Sequence, residues 1–96
     1  MTSKQRAYLR GLANDYEPIV HIGKGGLSDA LMKQADDALE ARELIKGRVL
    51  ETAPAAVRDV AEEIAAAVNA ETVQVIGRTF VLYRRRAEEP TIVLPR

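Results

Sequence analysis

The stretch from Gly23 to Gly26 has the composition of an anion-binding loop. It reads Gly-Lys-Gly-Gly and directly follows the β-branched run Ile19–Ile22. Glycine permits left-handed backbone angles and lets a bulky ligand approach the main chain. Successive free N–H groups at a helix start attract anions, and Lys24 adds a mobile positive charge. The stretch therefore favours binding of a phosphate group.

Three phosphate-binding motifs compete for this loop. A P-loop is excluded because Pro18 stands where its first glycine is required and Gly25 stands where Ser or Thr should hold magnesium. A dinucleotide-binding loop is disfavoured because Ser28 replaces its third glycine and because the chain is too short for the usual double unit. A G-x-x-G loop that clamps a nucleic-acid backbone needs only two spaced glycines and basic surroundings. A tight strand-to-helix turn without a ligand is equally open on these four residues alone.

The charges of the chain are sorted along the sequence. The 96 residues contain 14 Lys+Arg and 14 Asp+Glu, so the formal net charge is zero. Residues 1–12 and 76–86 contain basic residues and no acidic ones, whereas residues 29–43 and 51–71 contain five acidic residues each. Such sorting can give a neutral protein a positive side. We expect one basic surface around the loop, made of Lys24, Arg6, Arg10, Arg84, Arg85 and Arg86.

Hydrophobic periodicity predicts the order helix, strand, helix, strand, helix, strand, strand. The helices are predicted over residues 2–13, from 28 to about 42, and from 52–54 to 69; the strands are predicted over 19–22, 44–50, 72–76 and 79–83. Strands separated by helices favour parallel pairing, and Gly77-Arg78 predicts a hairpin between the last two strands. The predicted fold class is α/β, with a mixed four-stranded sheet covered by helices in a two-layer-like α+β arrangement. Residues 84–96 are expected to dock through the apolar run that ends at Pro95.

The composition excludes several kinds of chemistry. The chain has no cysteine and one histidine, so disulfides, thiolate zinc sites and cysteine nucleophiles are ruled out. His21 has no evident partner base or nucleophile, and Ser28 is explained as an N-cap. No apolar run approaches the roughly 18–20 residues of a membrane span. We therefore expect a single-domain, monomeric, cytoplasmic protein that is not an enzyme and has no cofactor, metal ion, small-molecule substrate or membrane partner.

Several separated segments together resemble the YhbY-type CRM domain, the chloroplast RNA splicing and ribosome maturation module. In chain order, they are Lys4–Ala13, Pro18–Val20, Gly23–Ser28, Ala38-Leu39, Glu43–Lys46, Val73–Thr79, Val81–Arg84 and Leu94–Arg96. The resemblance implies an RNA-binding domain with a fold similar to the C-terminal domain of translation initiation factor three. It also implies a factor that associates with precursors of the large ribosomal subunit. The family's G-x-x-G loop falls on Gly23 to Gly26 and its basic positions on Arg6, Arg10 and Arg84.

One residue departs from the pattern of that family. Gly47 stands where the family often has an apolar strand residue. A glycine inside a strand offers no side chain to pack and is expected to weaken the second strand locally.

The leading hypothesis is an RNA-binding ribosome-assembly factor with ribosomal RNA or a large-subunit precursor as its partner. RNA phosphates would meet the amides of the loop, and the basic residues named above would supply long-range attraction. The alternative is a protein-interaction module whose acidic helix faces dock a basic ribosomal protein. A third possibility, a small nucleotide-binding domain, predicts thermal stabilisation by a mononucleotide, and we expect none.

Overall fold

A computed structural model describes all 96 residues as a four-stranded mixed sheet with helices on both faces. The elements are α1 (Ser3–Ala13), β1 (Val20–Ile22), α2 (Asp29–Arg42), β2 (Leu44–Val49), α3 (Val57–Val68), β3 (Glu71–Ile76) and β4 (Thr79–Tyr83). The strand order across the sheet is β1-β2-β4-β3. β1 pairs parallel to β2, and β4 pairs antiparallel to both β2 and β3. The predicted α/β class, element order and mixed sheet are confirmed.

The larger core lies between the sheet and the pair α2 and α3. Its thirteen buried residues are Val20, Ile22, Ala35, Leu39, Ile45, Val49, Val60, Ala61, Ile64, Ala65, Val68, Phe80 and Leu82. The apolar positions of α3 recur at helical spacing and form one stripe, as the sequence predicts. Burial of this stripe fixes α3 against the sheet and leaves its charged residues in solvent.

A second, smaller core covers the opposite face of the sheet. Its six buried residues are Leu9, Ala13, Leu44, Val73, Val81 and Tyr83, and Ile92 and Leu94 of the C-terminal segment pack against them. Successive side chains of a strand point to opposite faces, and β2 buries Leu44 on this face and Ile45 and Val49 on the other. The predicted two-layer arrangement accounts for the sheet and for α2 and α3. A third layer, made of α1 and the C-terminal segment, covers the other face of the sheet.

The N-terminal caps of α1 and α2 follow the sequence pattern. Thr2 accepts a hydrogen bond from the Gln5 amide at 3.1 Å and donates its own amide to the Gln5 side chain at 3.0 Å. Ser28 accepts from the Leu31 amide at 3.1 Å. Both caps satisfy donors that a helix start leaves free.

The third helix begins later than predicted. Its N-cap is Ala56, with no side-chain hydrogen bond, and Val57 is the first helical residue. The preceding residues form a turn in which the Ala53 amide donates to Leu50 at 3.0 Å. Pro54 instead contacts the glycine loop, where a Cβ on Gly26 would lie 3.4 Å from its ring. The proline signal thus marks a loop contact and not the helix start.

Candidate nucleic-acid interface

The Gly23–Gly26 loop is a tight turn at the end of β1. The Gly26 amide donates to the Gly23 carbonyl at 2.9 Å, so it is not free for a ligand. Gly26 has φ +64°, a left-handed conformation that favours glycine. Lys24 and Gly25 are exposed at the tip. The part of the loop open to an anion is therefore its centre, at Lys24 and Gly25.

The segment after β2 supports the loop from behind. A Cβ on Gly23 would lie 3.4 Å from the Leu50 side chain and 3.7 Å from the Thr52 hydroxyl. A Cβ on Gly25 would meet nothing within 4 Å. The loop is thus packed on one side and open on the other, and Gly25 can take a larger side chain without a clash.

Charges of both signs lie at this end of the sheet. Asp29 occupies the first turn of α2, directly after the Ser28 cap. The Arg78 guanidinium pairs with Glu51 at 4.0 Å, and both side chains are largely exposed. Asp29 thus follows the loop in sequence, whereas Glu51 belongs to the segment that supports the loop and is paired with Arg78. Lys24 contributes the positive charge within the loop.

The α1 side of β2 carries two more cations. Leu44 packs toward α1, so alternation places Lys46 and Arg48 on the same face. Arg48 is exposed and pairs in register with His21, which is exposed as well. Neither Lys46 nor Arg48 forms an ion pair with an acidic side chain. Lys46 and Arg48 therefore form a positively charged part of the sheet beside α1.

Helix α1 extends this stretch. The Lys46 ammonium lies 3.5 Å from the Asn14 carbonyl at the end of α1, and Arg10 is exposed one helical turn earlier on the same flank. Arg10 has no acidic partner within ion-pair distance. We call the set Arg10, Lys24, Lys46 and Arg48 the basic surface. Arg10 and Lys24 are among the residues predicted from the sequence, and Lys46 and Arg48 are not. The sequence signal for Lys46 and Arg48 is their position two residues apart in a strand, which places both on one face.

The side chain of Arg6 is hydrogen-bonded within the fold. Its guanidinium donates to the carbonyl of Thr72 and, at 3.3 Å, to the carbonyl of Val73. These carbonyls lie where the pairing of β3 with β4 is interrupted by an irregularity between Thr72 and Gln74. Arg6 therefore joins α1 to β3, and part of its donor capacity is already used.

Arg84 is engaged by acidic and carbonyl groups of the helices. Its side chain is only 18% exposed and pairs with Asp36 at 2.6 Å and Glu40 at 3.4 Å. It also donates to the main-chain carbonyls of Val68, at 2.9 Å, and Asp36, at 3.0 Å. Arg84 thus joins the C-terminal half of α2 and the end of α3 to the end of β4.

The prediction that Arg84, Arg85 and Arg86 join the loop in one surface is wrong. The Arg84 amide donates to Glu43, just before β2, whereas the loop contacts Leu50, just after it. Seven residues of extended chain separate these two points, about 23 Å. β4 runs antiparallel to β2, so its C-terminal arginines emerge at the end of the sheet remote from the loop.

Glu43 is a buried carboxylate that the sequence analysis did not single out. It is 0% exposed and accepts hydrogen bonds from the Arg86, Thr91 and Ile92 amides and from the Thr91 hydroxyl, at 2.7–3.0 Å. Burial would raise the pKa of Glu43, but these hydrogen bonds outweigh it and lower the pKa to about 2. Glu43 therefore fastens the C-terminal segment to the sheet. Its backbone lies at φ +66°, which the sequence does not signal.

No three His, Asp or Glu residues lie close enough together to hold a metal ion. No helix combines the length and apolar composition needed to cross a membrane.

Comparison with known proteins decides the family. The sequence model of the CRS1 / YhbY (CRM) domain matches residues 1–84. The chain belongs to this family. The CRM chain is 44% identical over 95 residues to "Probable RNA-binding protein YqeI" of Bacillus subtilis, covering 99% of each chain. It is 35% identical over 96 residues to an "RNA-binding protein" of Haemophilus influenzae, covering 100% of this chain and 96% of the relative.

A solved structure supports the same assignment for the CRM chain. The solution structure of SAV1595 from Staphylococcus aureus superposes with a TM-score of 0.83 at 46% identity, covering 99% of both chains. The resemblance to the CRM family found from the sequence motifs is therefore confirmed, and the fold of this chain is shared by SAV1595.

Proposed function

We propose that this CRM domain binds RNA through its basic surface and the exposed centre of the glycine loop. The observation that carries the proposal is the separation of charge between the two sides of the sheet. α1 carries three basic residues and no acidic ones, whereas α2 and α3 together carry seven acidic and three basic residues. A polyanion would be attracted to the first side and repelled by the second.

The basic surface is suited to phosphates because its cations are not neutralised. Arg10, Lys46 and Arg48 lack acidic partners, whereas Arg84 has two. A cation without an ion pair can release RNA counterions on binding. Lys24 lies just beyond β1, whose last residue pairs with β2 next to Arg48, so loop and strand offer charge at neighbouring points.

The remaining predicted arginines contribute differently in this proposal. Arg6 acts by holding α1 in place, and Arg84 acts by holding the helices. Arg85 is exposed and supplies attraction at the far end of the sheet, while the buried Nε of Arg86 has no hydrogen-bond partner. The direct contact is therefore assigned to the basic surface and the loop.

RNA filter binding across a salt series tests the proposal. Affinity should fall as salt rises, and Arg48→Gln should weaken binding and flatten the slope of log affinity against log salt by about one. Lys24→Asp combined with Gly25→Asp should weaken binding further, since Gly25 has room for the new side chain.

The matched control is Arg58→Gln, which removes an exposed, unpaired arginine from the acidic side of the molecule. It should leave affinity and slope unchanged. Equal effects of Arg48→Gln and Arg58→Gln would show that position on the surface does not matter and would refute the basic surface. Unchanged binding in a folded loop double variant would refute the role of the loop.

The finer proposal is that the RNA is ribosomal and that the protein acts in assembly of the large subunit. It is supported by the family membership and by the sequence resemblance. Crosslinking in cells followed by sequencing of the attached RNA tests it, and large-subunit precursor RNA should dominate. A pull-down of basic ribosomal proteins that survives nuclease treatment would instead favour docking through the acidic faces of α2 and α3.

A further inference from the structure

A groove of about 430 Å³ lies along the edge of β2, beside the basic surface. Tyr16 and Ile19 line it from the connection between α1 and β1, Leu44 and Lys46 line it from β2, and Arg42 lines it from the end of α2. Its volume falls within the range of about 300–1,000 Å³ that is typical of small-molecule sites.

The groove exists because β1 is shorter than β2. β1 pairs only with Gly47 to Val49, and the Ile19 amide donates to Lys46 at 2.9 Å. No strand covers the edge of β2 before that point. The N-terminal part of β2 is therefore open on the side where a longer β1 would lie.

The main chain of β2 directs its polar groups alternately to its two neighbours. The carbonyl of Lys46 and the amide of Leu50 bond to the β1 side, whereas Glu43 and Val49 bond to the β4 side. Main-chain groups alternate between the two neighbours of a strand, so the N–H and C=O of Leu44 point toward this edge. Leu44 is 0% exposed, however, so its main chain lies beneath the groove surface and is closed to a ligand. The floor of the groove is therefore apolar, and its polar groups are the side chains of Tyr16, Glu17, Arg42 and Lys46.

The lining favours a flat, anionic ligand. Tyr16 is 40% exposed and supplies an aromatic surface. Arg42 and Lys46 place two positive charges at the rim against the single carboxylate of Glu17. A peptide strand is a poorer fit, since only about two residues of edge are free, whereas strands typically run about five to six residues.

We propose that this groove receives one unpaired nucleotide of the bound RNA. The base stacks on Tyr16 above the apolar floor, and its phosphate lies toward Lys46 and Arg42. Lys46 belongs to both the basic surface and the groove, so a strand of RNA on the surface can reach it without a gap. The inference rests on the proposed function and adds base recognition to it.

Binding of two RNA probes tests the inference. One is a hairpin with 5-iodouridine in its unpaired loop, and the other is a fully paired duplex of equal length. Tyr16→Ala should weaken hairpin binding by about five-fold or more, the loss expected for one base-aromatic stack. It should not change duplex binding. Tyr16→Phe should restore hairpin affinity because it keeps the ring.

The matched control is Tyr8→Ala, which removes a tyrosine of similar exposure (43%) from α1, outside the groove. It should leave hairpin binding unchanged. Photocrosslinking of the hairpin should join the iodouridine to Tyr16. Hairpin binding with crosslinks only elsewhere, or with equal losses in both alanine variants, would overturn the groove assignment and leave the proposed function intact.

Three further results would overturn the placement of an RNA base in this groove. Absence of binding to either RNA would remove the proposed function and this inference with it. Saturable, comparably tight binding of free uridine monophosphate, lost in Tyr16→Ala, would identify a mononucleotide site instead. Protection of the groove by a peptide and not by the hairpin would identify a peptide site.

Discussion

Glu43 anchors the C-terminal segment through its buried carboxylate. Its carboxylate accepts four hydrogen bonds from that segment while fully buried. Its pKa is about 2 in the folded chain against an ordinary 4.5. A lowered pKa stabilises the fold above the ordinary value, and that stabilisation is lost as the pH falls from about 4.5 to 2.

We therefore expect the free energy of unfolding to fall by about 3 kcal/mol over that pH interval through Glu43 alone. Glu43→Gln should remove this pH dependence and lower stability at pH 7, because an amide offers one acceptor where the carboxylate has two. Urea denaturation of both proteins from pH 7 to pH 2 measures the effect. A wild-type chain and a Glu43→Gln variant with parallel stability curves would contradict this account.

The role of Gly47 could be predicted from the sequence only in part. Its missing side chain predicts a weak point in β2, yet the ring of Phe80 occupies the space where a Cβ would project. Phe80 is also its register partner on β4. The sequence shows the glycine but not that the Phe80 ring fills the space beside it. That contact requires β4 to pair with β2, which the order of elements along the sequence does not specify.

At the scale of elements, local sequence signals predicted the order of the helices and strands and the starts of α1 and α2. The Thr2–Gln5 pair and Ser28 marked two helix starts because capping depends on residues three positions apart. The start of α3 could not be predicted, since Pro54 contacts a loop distant in sequence. The position of β4 between β2 and β3 is likewise a product of tertiary pairing.

The clamp formed by Arg84 belongs to this scale, because it joins α2, α3 and β4. Arg84→Ala should lower the free energy of unfolding by about 1–2 kcal/mol, since it removes hydrogen bonds to Asp36 and Val68 from a mostly buried side chain. Arg85→Ala is the control, as Arg85 is exposed and has no ion pair. Thermal denaturation compares them, and RNA affinity below the transition should be unchanged in Arg84→Ala. A stable variant that loses RNA binding would make Arg84 a direct contact.

At the scale of the whole molecule, the sequence showed that charge was sorted but not where each group would lie. The acid-free α1 and the acidic α2 and α3 fall on opposite sides of the sheet, where their apolar residues pack against its two faces. The last arginines could not be placed, because the direction of β4 decides which end they reach. The groove beside β2 arises from the short pairing of β1, which no single motif encodes.

The most direct measurement is a titration of isotope-labelled protein with a structured fragment of large-subunit ribosomal RNA, followed through backbone amide NMR shifts. The account predicts shifts concentrated at Arg10, Lys24, Gly25 and Arg48, and their reduction at high salt. The outer faces of α2 and α3 should stay unchanged. Shifts confined to α2 and α3, with no shift at residues on the α1 side of the sheet, would contradict RNA binding by the basic surface.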